Sequence, residues 1–156
     1  MPPTRPVPDG YHTITPHLVV KNGAKAIEFY KKAFGAKEIA RAPGPGGTLM
    51  HATLQIGDSI VMLNDEFPQW GAQGPQSIGG TPVTIHLYVD DADKWYKRAV
   101  AAGAQETMPI QDCFWGDRYG KLTDPFGHKW AIATRKETLT PQEIQQRAKA
   151  AGFGGS

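Results

Sequence analysis

Ile14-Thr15-Pro16-His17-Leu18-Val19-Val20 returns further along the chain as Val83-Thr84-Ile85-His86-Leu87-Tyr88-Val89. The offset is 69 residues (86 − 17), and Thr, His, Leu and Val recur at identical places. Each copy runs into a helix-like stretch, residues 24–34 and 92–102, and each stretch ends on a Gly-Ala pair, Gly35-Ala36 and Gly103-Ala104. A repeat of this length constrains the fold more than any single motif, because each copy must be one supersecondary unit. The phrase itself reads as a strand over residues 13–20, rich in β-branched residues and alternating. That alternation places Leu18 and Val20 on one face, and Thr15, His17 and Val19 on the other. Asn22 is placed to cap the helix that follows, in which Ile27, Tyr30 and Phe34 fall on one side.

Working outward, strands are expected at residues 38–42, 48–56 and 59–64, with a hairpin loop at 43–47 and a tight turn at Gly57-Asp58. In the strand at 48–56, Met50, Ala52, Leu54 and Ile56 form the apolar face, and Leu49, His51, Thr53 and Gln55 the other. The second copy repeats the order, with strands near 106–110 and 129–134 around the phrase Phe114-Trp115-Gly116-Asp117-Arg118-Tyr119-Gly120. The organisation is an extended arm (1–12), a first βαβββ unit (13–64), a Gly-, Pro- and Gln-rich linker (65–82), a second βαβββ unit (83–134) and a C-terminal segment (135–156), together one compact domain. Thr140-Pro141-Gln142-Glu143 has the capping-box pattern with Pro at the first helical position, so a short helix is expected to run to about residue 151 and stop at Gly152. The class is α+β: two tandem units whose strands form a curved mixed sheet around a central concavity, with helices outside and an extra C-terminal helix. Thr15, His17, His51, Thr84, His86 and Tyr88 are expected to line the concavity, a polar and aromatic wall suited to a small molecule.

Composition excludes several functions. A net charge of +2, with no basic run, argues against nucleic acid. The lone Cys113 rules out an intramolecular disulfide or a thiolate metal cluster and fits a reducing compartment. Residues 1–8 lack the apolar core of a signal peptide, and no apolar run approaches the ~20 residues needed to span a bilayer. A soluble cytoplasmic protein without a membrane partner is the expectation.

The phrases Leu18-Val19-Val20, Ala26-Ile27-Glu28-Phe29-Tyr30-Lys31-Lys32-Ala33-Phe34-Gly35-Ala36, Phe114 to Lys121 and Asp124-Pro125-Phe126-Gly127-His128 carry a resemblance. Two tandem βαβββ units with these phrases resemble the vicinal oxygen chelate superfamily of glyoxalase I, extradiol dioxygenases, and fosfomycin- and bleomycin-resistance proteins. They look closest to its PhnB-like branch, and the resemblance covers residues 13–134. Metalloenzymes of that superfamily take one ligand, usually His or Glu, from the first and last strand of each unit. Aligning the helix and turn phrases puts those places at Thr15, Met62, Thr84 and Ala131, with 84 − 15 and 131 − 62 both equal to 69. Threonine, methionine and alanine offer no strong ligand for a divalent ion. The resemblance therefore implies a cofactor-free binder of the bleomycin-resistance type, a homodimer that sequesters a small molecule in a cavity between the units.

An alternative stays open. His17 and His86 sit two residues along from the expected places and, with His51, offer a displaced three-histidine site for zinc, iron, manganese, copper or nickel. Such a site implies a divalent-metal lyase, isomerase, transferase or dioxygenase with Glu66 as base; outside it the residues name no catalytic group. A third reading is a non-enzymatic partner docking through the linker and the C-terminal helix. The ligand-binding candidates are His17, His51, His86, Tyr88, Trp115, Arg118 and Tyr119: Trp115 to stack, Arg118 to hold an anion by its planar fork. Against that, Asp117 and Arg118 can form a structural ion pair while the aromatics fill core. Asp65 and Glu66 read as a solvated strand end, His12 and His128 as exposed, and Cys113 as inert.

Overall fold

Residues 2–153 are described by a computed structural model; Met1 of the arm and the last three residues of the C-terminal segment lie outside them. In the first unit β1 (His17–Val20) leads into α1 (Gly23–Phe34), β2 (Lys37–Pro43), β3 (Leu49–Ile56) and β4 (Ser59–Asp65). A short helix, α2 (Pro75–Ile78), interrupts the linker. The second unit repeats the order as β5 (Thr84–Tyr88), α3 (Ala92–Ala102), β6 (Gln105–Asp112), β7 (Asp117–Thr123) and β8 (Lys129–Arg135), and α4 (Pro141–Ala150) follows. The strand orders match: β1-β4-β3-β2 in one sheet and β5-β8-β7-β6 in the other. The first strand of each unit runs parallel to the last, and the other pairings are antiparallel. The repeat extends to register, since His17 lies opposite Met62 and His86 opposite Ala131.

Both helices start the same way. Asn22 Oδ1 accepts from Lys25 N and Asp91 Oδ1 from Lys94 N, each at 3.1 Å, satisfying one of the backbone donors a helix start leaves free. The buried stripe of α1 is broader than Ile27, Tyr30 and Phe34, taking in Ala26, Phe29 and Ala33 as well. The reason is that α1 packs on its own sheet and also against α3. Between the units the rings of Phe34 and Trp130 approach to 4.7 Å, with Tyr30, Phe126 and Trp95 around them. The strands therefore form two four-stranded sheets joined through their helices, and His17, His86 and Tyr88 on the opposite faces are exposed within the chain.

Polar ties fix the two units against each other. Asp124, only 4% exposed, accepts four hydrogen bonds. Its Oδ1 takes Phe126 N at 2.8 Å and His128 N at 3.0 Å, and its Oδ2 takes Trp130 Nε1 at 2.9 Å and the Tyr30 hydroxyl at 2.5 Å. Tyr30 belongs to α1, so this bond crosses between units; burial, and then the Asp124 charge, push its phenol well above the ordinary range. His128 is not free in solvent: Nε2 donates to Val19 O of β1 at 2.8 Å. From α3, Arg98 donates to Lys32 O and Lys31 O, capping the C-terminus of α1.

Several local expectations are corrected. The strand expected from residue 13 begins at His17, because Pro16 has no N–H to pair; only its carbonyl joins the ladder, accepting from Met62 N. In β3, Leu49 is buried and Met50 is 42% exposed, the reverse of simple alternation. The register against β2 shifts between Ala42 and Pro43, and such a bulge re-aims the residues beside it. Asp65 is buried, with Oδ1 accepting from Gly23 N and Oδ2 from Leu49 N, so it ties the end of β4 to the starts of α1 and β3. Glu66 accepts from Gly74 N and the Ser77 hydroxyl and pins the linker around α2. Gly74 is required there, since a Cβ would sit 2.8 Å from Val19 O. The N-cap forms as expected, with Thr140 Oγ1 accepting from Glu143 N and Pro141 opening α4, but Glu143 Oε1 accepts from the Thr140 hydroxyl rather than from its backbone N–H.

Replacing Tyr30 by Phe keeps the ring and removes one donor to Asp124. The expected loss is about 2 kcal/mol, the cost of weakening a hydrogen bond to a buried charged group. Urea unfolding followed by circular dichroism measures it.

Candidate functional site

The open face of the second unit gathers rings around one carboxylate. Strand β5 presents His86 and Tyr88, β7 presents Tyr119, and the turn between β6 and β7 presents Trp115. That turn is closed by Cys113 N donating to Asp117 O and Gly116 N to Cys113 O, with Gly116 at φ 99°, a value that favours glycine. It is braced from behind, where Gly116 O accepts from Lys136 N and Glu137 N. Asp117 is 3% exposed. Its Oδ2 accepts from the Tyr88 hydroxyl at 2.7 Å and from Trp115 Nε1 at 3.1 Å, which fixes the orientation of both rings. His86 lies 4.6 Å from Tyr88 and 5.6 Å from Tyr119, centroid to centroid, and Trp115 meets Tyr119 edge-on at 5.2 Å. These separations suit aromatic contact. Tyr88 remains 65% exposed, so the wall faces outward. Beside it a groove of about 460 Å³ separates the β3–β4 turn from β5, lined by His86, Tyr88 and Trp95.

The electrostatics follow from this packing. Shielding by its surroundings lowers the His86 pKa, and Asp117 pulls it partly back. The hydrogen bond to Asp117 raises the Tyr88 phenol, and burial adds to it. The neutral imidazole of His86 is therefore favoured, a form able to stack and to exchange hydrogen bonds.

The structure brings together four of the seven ligand-binding candidates: His86, Tyr88, Trp115 and Tyr119. His17 and His51 form a separate pair on the first unit, ring centroids 5.9 Å apart. His17 Nε2 donates to Asn64 Oδ1, Asn64 Nδ2 donates to Asp65 O, and His51 shares a hydrogen bond with the Thr53 hydroxyl. Arg118 leaves the wall altogether. It holds both oxygens of Asp93 at 3.1 Å and reaches Asp112 at 3.4 Å, so the expected Asp117–Arg118 pair does not form. Among the described residues no group of three or more His, Cys, Asp or Glu side chains is placed to hold a metal ion. Of the four inherited ligand places, Met62 and Ala131 share rungs with His17 and His86, Thr84 lies opposite Lys129, and Thr15 precedes β1. This donor set does not fit a divalent metal. Both oxygens of Glu66 are engaged by Ser77 and Gly74, which hold its pKa below the ordinary carboxylate value. The role of Asp117 as a clamp on two rings was hidden in the sequence, because Tyr88 lies 29 residues away.

Residues 10–132 match the model of the glyoxalase/bleomycin resistance protein/dioxygenase superfamily. The chain belongs to this superfamily. An uncharacterized protein of Mycobacterium tuberculosis strain H37Rv is 48% identical over 144 residues, covering 90% of this chain and 85% of that one. Among solved structures, TioX from Micromonospora sp. ML1 superposes with a TM-score of 0.64 at 28% identity, covering 80% of this chain and 98% of TioX. An Arabidopsis thaliana gene product superposes with a TM-score of 0.63 at 28% identity, covering 79% and 98%. The superfamily fold accounts for the two matched sheets. No helix among the described residues is long and apolar enough to cross a membrane.

Because His86 titrates lower when folded than when unfolded, the unfolded chain binds this proton first on acidification. Its contribution therefore destabilises the fold as pH falls below the ordinary histidine value of about 6.5, and is absent above it. Thermal melts from about pH 7.5 to about pH 5.5 are expected to show a smaller loss of stability for His86→Gln than for the native chain.

Proposed function

We propose that this chain binds a flat aromatic small molecule against the wall of His86, Tyr88, Trp115 and Tyr119, holding it without a metal, in the manner of the bleomycin-resistance type. The observation that carries this reading is the wall itself: rings oriented by a buried carboxylate and left open on one side. Such rings stack on a planar ligand with little conformational entropy to lose, because their rotamers are already set. The chemistry at Thr15, Met62, Thr84 and Ala131 supports the metal-free part of the reading, since none of these side chains polarises a substrate oxygen or replaces a missing histidine. His17 and His51 supply a second polar patch on the matching face of the first unit.

The open faces of two sheets call for cover, and a second copy of the chain supplies it in this reading, so the working form is a homodimer with its ligand cavity bounded by both units. The phrases from Ala26 to Ala36 and from Phe114 to Lys121 support a place in the PhnB-like branch. A cytoplasmic setting accords with the lone Cys113, whose thiol is pushed up by burial first and then by Asp117, and so stays protonated and inert.

Calorimetric titration with a panel of planar aromatic compounds tests the proposal. A saturable ligand is expected, unaffected by a chelator and bound roughly tenfold more weakly after Trp115→Ala, the size of one lost aromatic contact. Equilibration with zinc, manganese, iron(II) and nickel followed by dialysis and elemental analysis is expected to leave no stoichiometric metal. One metal per chain, lost on His17→Ala with His86→Ala, overturns the metal-free reading.

A further inference from the structure

The ring wall does not end at Trp115. Phe114 meets Trp115 edge-on at 5.0 Å, and Phe153 lies 5.4 Å from Phe114. From His86 and Tyr88 through Tyr119, Trp115 and Phe114 to Phe153, six rings follow one another with neighbouring centroids 4.6 to 5.6 Å apart. The sixth ring arrives from a separate element, carried at the end of α4. Its placement is built into the chain: Phe153 N donates to Ala148 O and Gly152 N to Lys149 O, with Gly152 at φ 88°. This is the paired-bond helix stop that needs glycine after the cap and turns the following residue back along the helix.

Core packing does not account for α4. The helix fully buries none of its residues, only Ile144 and Ala148 are half-buried, and Phe153 is 75% exposed. An ion pair ties it to the domain, between Arg147 and Glu137. A ten-residue helix that half-buries only Ile144 and Ala148 gains little to offset its ordering. What the position of α4 achieves is one more apolar ring at the end of the strip.

We infer that α4 is a strap over the ligand site, that Phe153 is a ligand-contacting residue, and that the ligand is elongated, with flat groups reaching from the His86 end of the wall to Phe153. This rests on the aromatic-binding reading of the wall. A short ligand covers the rings clamped by Asp117 and leaves Phe153 in water. A long one also covers Phe114 and Phe153, removing exposed apolar surface from water and giving the strap a surface to close on.

Two probes of equal charge and different length separate these cases: naphthalene sulfonate, and anilinonaphthalene sulfonate with one ring more. Both are titrated calorimetrically into the full chain, its Phe153→Ala and Phe153→Trp variants, and Trp115→Ala. Phe153→Ala is expected to weaken the longer probe about fivefold and to leave the shorter within about twofold. Phe153→Trp is expected to hold the longer probe at native affinity or better. If Phe153→Ala weakens both probes alike or neither, while Trp115→Ala weakens both, the strap is overturned and the wall stands. If neither probe binds the native chain, the wall reading falls and the strap with it.

Discussion

The Asp124 carboxylate accepts four hydrogen bonds in a site almost closed to water, and one of them comes from the other half of the molecule. A buried charge is costly unless its lone pairs are met, so this arrangement tolerates little displacement of any donor. Two donors are backbone groups of the tight turn before β8, which fixes the turn, and Trp130 seats the start of the strand. Tyr30 then sets where α1 lies against all of this. The packing of Phe34 on Trp130, the Arg98 cap on α1 and the His128 bond to β1 all presuppose that relation. Each half has its own sheet, and among the described residues no ladder joins the two sheets. Their mutual position is carried by helix packing and by these few directional bonds.

The candidate site reuses the same device with a different outcome. Asp117, like Asp124, is a buried carboxylate that receives an indole N–H and a phenol O–H. At Asp124 the rings are interior and the result is a joint. At Asp117 the rings stand on an open face and the result is a prepared surface. The aromatic payload is similar, and what separates a buried joint from an open aromatic face is which side of the sheet the rings occupy.

The repeat made the architecture legible, down to the parity that puts Leu18 and Val20 inside and His17 outside. Helix starts were legible as well, because Asn22 and Thr140 bond to residues three positions on. Features that depend on distant partners were not. Asp65 looked solvated because its donors, Gly23 and Leu49, lie 42 and 16 residues away. Arg118 looked available because Asp93 is 25 residues back on another element. His128 looked exposed because its acceptor, Val19 O, belongs to the other half. Four of the ring candidates stand together in space because they share β5 or the Phe114-to-Tyr119 phrase. Nothing in its local sequence announces that the helix stop at Gly152 turns Phe153 toward Phe114.

Tyr30 and Asp124 are 94 positions apart along the chain. Closing so long a loop forfeits chain entropy that is repaid only when both halves already have their shape. Strand pairing within each unit is far more local. Docking of the halves therefore rests on contacts more distant in sequence than those that build each unit, and it removes the interior rings of both from water. Before docking, Phe34 has Tyr30 and Phe29 beside it within α1 but lacks Trp95 and Trp130, and on rings left open in this way association with another chain competes with self-closure.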